Sequence, residues 1–252
     1  MGNKNQKPDN YKLYEENWQD WNNMKIHGPA SNFLRYLITE SLDSIDNKYS
    51  VRSVLDVGCG EGTNTALIAK LFSDASVLGI DFSLTGIECA QQRYKFQNLL
   101  FKHDINSEAL NLKYDLVTCF EVIEHVEDWK GFLKMIASAS DKYVLISTPT
   151  GKMREFEVNV GHLRNFKKNE VENEMQNLGF KTVRAYYAGF PFYSPIYRDL
   201  CNKMNVGGNS FEKGEYSFKQ RLISNIIYFS FRYLSTKKNH GDKFCALFEK
   251  NS

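Results

Sequence analysis

The sequence lacks three features that would assign a protein class at once. Its five cysteines, in 252 residues, form no CxxC pair, which predicts reduced thiols rather than a disulfide framework. The formal net charge is only +2 and no polybasic arm is present, so we expect no nucleic-acid partner. Residues 1–10 are polar, without the apolar core of a secretory signal. We therefore expect a frayed tail and a cytoplasmic protein.

The chain is rich in core-forming residues. Hydrophobic residues make up 42% of it and charges of both signs are mixed, which is enough for one sizeable core. Aromatic residues at helical spacing predict a first helix over residues 11–25, ending before a Gly-Pro breaker: Tyr14, Trp18 and Trp21. Ser31 is predicted to cap a second helix, whose apolar face comprises Leu34, Leu37, Ile38, Leu42 and Ile45.

The central part of the chain alternates short apolar runs with amphipathic stretches. The runs predict five strands, at residues 51–57, 77–80, 98–102, 114–120 and 143–147. Helical patterns fall between most of them, which is typical of a parallel sheet with helices on both faces. Ligands of such sheets bind at the carboxyl ends of the strands.

The last third of the chain is less regular. A helix is predicted over residues 167–178, and strands over 180–187 and 243–250. Between those strands lie an aromatic-rich segment and a helix at 218–234 that is apolar on most faces. Its length and its two arginines, Arg221 and Arg232, argue against a transmembrane segment. We expect a lid or packing helix, with an interfacial membrane anchor as the alternative.

The most informative segment is VLDVGCGEGT, residues 54–63, a strand that runs into a glycine-rich turn. The spacing of Gly58, Gly60 and Gly62 is GxGxG, whereas a dinucleotide site has GxGxxG. Asp56 stands beside the turn, where its charge would repel a pyrophosphate. The segment therefore favours a cationic ligand.

Two further carboxylates are predicted at the carboxyl ends of strands. Asp81 ends the second strand, where it could accept hydrogen bonds from both hydroxyls of a ribose. Asp104 follows the third strand and could accept one from an adenine amino group. The alternative for Asp104 is a helix cap or turn residue.

The segments VLDVGCGEGT, GIDFS, KHDI and FEVIEHV, in this order over residues 50–187, resemble the class I S-adenosylmethionine-dependent methyltransferases. The resemblance implies a Rossmann-like α/β fold with helices on both faces of a seven-stranded, mostly parallel sheet, its last strand antiparallel beside the sixth, plus helical lid elements. It also implies S-adenosylmethionine as cofactor and methyl transfer to oxygen, or less readily nitrogen, of a small, sugar-related or anionic molecule. The implied cofactor-binding residues are Asp56, Gly58, Gly60, Asp81, Phe82, Asp104, Ile105 and Phe120.

The same resemblance suggests a division of the chain. Residues 1–48 would form the tail and cap helices, 49–187 the cofactor-binding core, 188–242 an inserted lid or substrate lobe, and 243–252 the final strand. A homo-oligomer is compatible with the sequence, although no feature indicates one.

The fourth strand leads into a cluster of polar residues. Glu121, Glu124 and His125 stand at i, i+3 and i+4, and on a helical turn they would share one side. Together with His162, after the fifth strand, they could bind Mg²⁺ or Mn²⁺. This set resembles the metal site of small-RNA terminal 2′-O-methyltransferases, and ExxEH alone resembles the ubiquinone-pathway O-methyltransferases.

Other interpretations of these residues stay open. His125 or His162 could be a catalytic general base, or Glu124 and His125 could simply cap a helix. An RNA substrate is disfavoured by the near-neutral charge, and a non-catalytic, cofactor-binding partner subunit by the complete ExxEH set. Basic residues expected around the cleft favour an anionic acceptor: Lys25, Arg154, Arg164 and Arg198.

Overall fold

The computed structural model describes residues 10–204 and 215–251. Within them, seven strands form one sheet in the order β3-β2-β1-β4-β5-β7-β6. The strands are β1 (Ser53–Val57), β2 (Ser76–Asp81), β3 (Leu99–His103), β4 (Tyr114–Phe120), β5 (Ser140–Pro149), β6 (Phe180–Ala188) and β7 (Lys243–Lys250). β7 is antiparallel to both β5 and β6, and the pairs among β1 to β5 are parallel. The predicted fold is thereby confirmed.

Helices cover both faces of this sheet. They are α1 (Asn10–His27), α2 (Pro29–Leu42), α3 (Thr63–Leu71), α4 (Leu84–Arg93), α5 (Trp129–Ala139), α6 (Glu155–Asn159), α7 (Glu170–Asn177), α8 (Arg198–Lys203) and α9 (Phe218–Tyr233). Two separate apolar clusters result, one containing residues of α2, α3 and α9 and the other residues of α5 and α7. None of the helices in the described parts of the chain is long and apolar enough to cross a membrane.

The second helix begins earlier than predicted. Gly28, in an extended conformation, is its N-cap residue and Pro29 its first residue, so Ser31 lies inside the helix and does not cap it. The prediction was wrong because proline, with φ already fixed near the helical value, is favoured in the first turn. Gly28 therefore separates the two helices, and Pro29 begins α2.

The strands in the middle of the sheet are buried on both faces. Leu145 of β5 stands opposite Leu247 of β7, and both are fully buried. Edge strand β3 instead alternates, and Leu100 points outward with 71% of its surface exposed. A central strand of a covered sheet must be apolar throughout, whereas an edge strand needs only one apolar face.

Replacing Leu247 by alanine tests how strongly β7 holds the sheet together. We expect Leu247→Ala to lower the free energy of unfolding by about 2 to 5 kcal/mol, because it leaves a cavity in the core. The matched variant Leu100→Ala should change it by less than about 0.5 kcal/mol. Urea denaturation of both variants gives these values, and equal losses would contradict the described position of β7.

Candidate active site

The glycine-rich turn lies at the carboxyl edge of the sheet, between β1 and α3. Gly58, Gly60 and Gly62 have φ of 75°, 54° and 83°, a region in which glycine alone is unstrained. A side chain at position 60 would also clash with the ring of Trp18, which α1 lays across the turn. The glycines therefore allow the backbone conformation of the turn and leave room for the Trp18 ring that lies over it.

A cavity of about 300 Å³ opens beside this turn. Six of the eight predicted cofactor-binding residues line it: Gly58, Asp81, Phe82, Asp104, Ile105 and Phe120. Backbone at Gly58, buried carboxylates and apolar side chains suit a ligand that combines charged, hydroxyl and aromatic parts. The residues present fit S-adenosylmethionine.

The other two predicted residues are not in the cavity wall. Asp56 is buried and accepts hydrogen bonds from Thr65 Oγ1 (2.6 Å) and Thr118 Oγ1 (2.7 Å). Burial raises the pKa of its carboxyl group to about 6. Gly60 is covered by Trp18. Their contact with a cofactor stays a prediction.

Asp81 and Asp104 both accept hydrogen bonds from backbone amides. Asp81 accepts from the amides of Gly60 (2.7 Å) and Ser83 (2.8 Å), and burial raises the pKa of its carboxyl group. Asp104 accepts from the amides of Glu108 (3.0 Å) and Ala109 (2.9 Å), which is the turn role considered as an alternative. Each carboxylate oxygen has a second lone pair, so the predicted ribose and adenine contacts remain compatible with these hydrogen bonds.

A second cavity, of about 250 Å³, adjoins the first. Helices α1, α2 and α8 contribute to its wall, as does the segment between β6 and α8. Both cavities are lined by Tyr14, Lys25, Glu61, Asn64, Phe120, Glu121 and His125. The molecule thus holds two adjoining binding spaces, suited to a cofactor and a second reactant.

The sequence predicted that Glu121 would share a helical turn with Glu124 and His125, and this prediction was wrong. β4 ends at Phe120, and Glu121 adopts a positive φ of 56° before a short 3₁₀ turn at Ile123–His125. Glu121 accepts from Ser147 Oγ (2.8 Å) and forms an ion pair with the buried Lys243, the first residue of β7. Although burial opposes ionisation, the Lys243 ammonium lowers the pKa of Glu121.

Glu124, His125 and His162 do converge, with ligand atoms within 4.8 Å of one another. Glu124 accepts from Thr148 Oγ1 (3.0 Å) through Oε2, while its buried Oε1 has no partner among the described residues. Burial and the charge of Glu121 raise the pKa of Glu124 well above its usual value. The surroundings of Glu124 therefore favour its protonated form.

Both histidines are neutral, but their hydrogen bonds differ. His125 Nδ1 lies 3.0 Å from the carbonyl oxygen of Gly161, and Nε2 lies 3.0 Å from the hydroxyl of Tyr14. A carbonyl only accepts, so Nδ1 carries the proton and Nε2 accepts from Tyr14. His162 Nδ1 is buried without a partner in the described residues. Burial lowers the pKa of His125 to about 3 and that of His162 to about 4.

These residues fit a divalent cation poorly. Three of the four predicted ligands meet, but Glu121 is held by the Lys243 ammonium, and both ring nitrogens of His125 are in hydrogen bonds. The raised pKa of Glu124 and the nearby Lys243 ammonium also disfavour the negative charge that Mg²⁺ or Mn²⁺ requires. Glu121 does not join the other three residues because it leaves the strand in a left-handed conformation, and a metal site at this set stays a prediction.

Among the predicted basic residues, Lys25 alone has an unpaired charge in the cavities. Arg164 donates to the carbonyls of Val126 and Glu127 and lines neither cavity. Arg154 pairs with Asp199 (2.6 Å), and Arg198 with Glu157 and Asp242. Lys25 lines both cavities and, among the described residues, has only a contact over the Trp18 ring at 5.6 Å.

Two residues of the site were missed in the sequence. Tyr14 was assigned only to a helix face, and its contact with His125 joins positions 111 residues apart. Lys243 opens the apolar strand KFCALF. A lysine at the buried end of a strand was the available signal, since such a charge requires a partner.

Comparison with known proteins identifies the family. A family profile described as a methyltransferase domain matches residues 30–185. The chain belongs to this family. It is a class I S-adenosylmethionine-dependent methyltransferase, as the motifs at the strand ends had indicated.

The relatives include O-methyltransferases. The methyltransferase is 29% identical over 231 residues to the malonyl-[acyl-carrier protein] O-methyltransferase of Acetivibrio thermocellus, covering 81% of this chain and 80% of that one. It is 30% identical over 137 residues to the mitochondrial ubiquinone biosynthesis O-methyltransferase of Schizosaccharomyces pombe, covering 50% of this chain and 47% of that one.

Solved structures support the fold. The magnesium protoporphyrin IX methyltransferase of Synechocystis PCC 6803, with bound S-adenosylmethionine, has a TM-score of 0.57 and 15% identity, over 97% of this chain and 98% of that one. At this identity the likeness concerns the fold alone. The proposed division into tail, core, lobe and final strand stays a prediction.

The buried histidines predict a pH dependence of stability. The pKa of His125 falls from 6.5 to about 3 on folding, so only the unfolded chain takes up this proton as the pH falls below about 6.5. Acid should therefore favour unfolding, by about 2 kcal/mol between roughly pH 7 and pH 5 for this group. Thermal denaturation across this range should show a weaker pH dependence in His125→Asn, and an unchanged one in His240→Asn, an exposed histidine. Equal slopes for wild type and His125→Asn would contradict a buried neutral His125.

Proposed function

We propose that the methyltransferase transfers the methyl group to an oxygen atom of a small acceptor that carries an anionic group. The main observation behind this proposal is made where the two cavities meet. Lys25 lies there without an ion-pair partner among the described residues, together with Tyr14 and His125. The first cavity would hold the cofactor and the second the acceptor.

Lys25 supports the anionic character of the acceptor. Burial lowers the pKa of its ammonium, whereas the charges of Glu61 and Glu121 raise it. A desolvated cation is costly unless it is paired, and the other predicted cationic residues already have partners in the protein. A carboxylate or phosphate in the second cavity would complete this pair with charge-assisted hydrogen bonds.

The relatives support oxygen as the atom methylated. Two of them are named as O-methyltransferases, and a malonyl group, which one of them acts on by its name, ends in a carboxylate. A carboxylate is already ionised and needs no base. A hydroxyl acceptor would have to lose a proton.

The histidines would have different roles in such a reaction. His125, fixed between Gly161 and Tyr14, would be a positioning residue that orients the Tyr14 hydroxyl. His162 lines the second cavity and is neutral, so it would be the residue that takes the proton of a hydroxyl acceptor. The cofactor supplies an already activated methyl group on a positively charged sulfur. The protein would then act chiefly by holding the acceptor in line and excluding water.

Replacing Lys25 tests the anionic acceptor. We expect Lys25→Met to lower kcat/KM about ten- to a hundredfold for carboxylic acids and phosphate esters, because one charge-assisted hydrogen bond is lost. Neutral alcohols of matched size should react as in the wild type. The assay measures release of S-adenosylhomocysteine across this panel of acceptors.

Arg164→Met serves as the matched control, since Arg164 lies outside both cavities. Calorimetry with S-adenosylhomocysteine gives the second readout. A large loss of affinity in Lys25→Met would assign Lys25 to the cofactor instead. Equal losses for charged and neutral acceptors would remove the anionic group from the proposal.

The proposed reaction proceeds without a metal ion. Titration of Mg²⁺ and Mn²⁺ into the protein, with and without S-adenosylhomocysteine, should give no saturable heat, because Lys243 pairs with Glu121 and the raised pKa of Glu124 disfavours its carboxylate form. EDTA should leave turnover unchanged. Metal binding in the wild type that disappears in both Glu124→Gln and His162→Asn would instead support a metal-dependent enzyme.

A further inference from the structure

Helix α9 carries large apolar side chains on the side that faces away from the protein. Between 50% and 81% of each is exposed. At about 100° per residue, they fall within an arc of roughly 80°, opposite Ser224 and Phe231, which are buried. We call them the outer stripe: Phe218, Leu222, Ile226, Phe229 and Tyr233.

The inner face of α9 already fixes the helix to the protein. Phe231 packs against Phe33 of α2, with ring centroids 5.7 Å apart, and against Tyr193 at 5.4 Å. Ser224 Oγ donates to the carbonyl of His27, the last residue of α1. The outer stripe is therefore not needed for packing, and an apolar strip of this size on a protein surface indicates an interaction site.

The charges on α9 indicate what kind of surface it meets. Residues 218–234 include three basic residues and no acidic one. By the same angular projection, Arg221 and Arg232 flank the outer stripe on one side and Lys219 on the other. The Arg232 guanidinium lies over the ring of Tyr233 at 5.0 Å. Apolar and aromatic side chains between flanking cations are typical of helices that lie in the interface of anionic membranes.

We propose that α9 docks the methyltransferase on membranes that contain anionic lipids, with the outer stripe in the acyl-chain boundary and the cations at the headgroups. The inner face of α9 rests on α2, and α2 also supplies Leu34 and Arg35 to the wall of the second cavity. Docking would therefore hold the proposed acceptor cavity close to the membrane surface. This interaction does not depend on the identity of the acceptor.

Vesicle flotation tests the proposal with the full chain. The probes are vesicles of phosphatidylcholine alone and of phosphatidylcholine mixed with phosphatidylglycerol. Wild-type protein should float with the mixed vesicles, and Leu222→Gln/Ile226→Gln/Phe229→Gln should lower the partition coefficient about a hundredfold. The matched control Leu100→Gln/Leu112→Gln, which also replaces exposed leucines, should bind as the wild type does.

A charge variant tests the second part of the proposal. Lys219→Gln/Arg221→Gln should weaken binding to mixed vesicles about tenfold or more, and added salt should do the same to the wild type. Unchanged binding of S-adenosylhomocysteine by each variant shows that the fold is intact, and turnover of acceptors in solution tests the proposed function separately.

Three outcomes would overturn the docking proposal. The first is a wild type that floats with neither kind of vesicle. The second is a triple variant that binds as well as the wild type. The third is a wild-type dimer that the triple variant converts to a monomer, without vesicle binding by either, because a second copy of the chain would then cover the outer stripe.

Discussion

The ion pair between Glu121 and Lys243 joins the parallel part of the sheet to the antiparallel strand β7. Glu121 follows β4, in the parallel part of the sheet, and Lys243 opens the antiparallel strand β7, opposite Pro149 of β5. Removing Glu121 would leave the Lys243 ammonium buried and unpaired, which is far more costly than losing an exposed pair. Glu121 has a positive φ, and the 3₁₀ turn that carries Glu124 and His125 begins two residues later. The position of the candidate site thus depends on this contact.

The same pair determines the charge of the whole site. Two neighbouring carboxyl groups do not readily ionise together, and here the Lys243 ammonium lowers the pKa of Glu121, whereas burial and the charge of Glu121 raise the pKa of Glu124. Both histidines are neutral because burial disfavours their charged forms. Glu121 and Lys243 cancel, which leaves the ammonium of Lys25. This arrangement supports the proposed anionic acceptor rather than a divalent cation.

Features set by local pattern could be predicted from the sequence, and features set by distant contacts could not. Alternating strands and helices indicated the sheet, and the ends of β1 to β4 located the first cavity, since parallel strands present their carboxyl ends at one edge. The relative positions of Glu121 and Glu124 were missed because the i, i+3, i+4 rule assumes a helix. The pairing of Lys243 joins positions 122 residues apart, and only the antiparallel insertion of β7 brings them together.

Helix α9 illustrates the same limit in another way. Its sequence is apolar on most faces, so periodicity alone could not tell which face packs inward; contact with α2 buries Ser224 and Phe231 and leaves the outer stripe exposed.

The segment between β6 and β7 supplies Tyr193 and Arg198 to the second cavity, and β7 starts at Lys243 directly after it. Cofactor-lining residues lie mostly at the ends of β1 to β4 instead. The residues that this segment contributes to the second cavity do not line the first one, so changes in them would alter the proposed acceptor site and leave the wall of the first cavity unchanged.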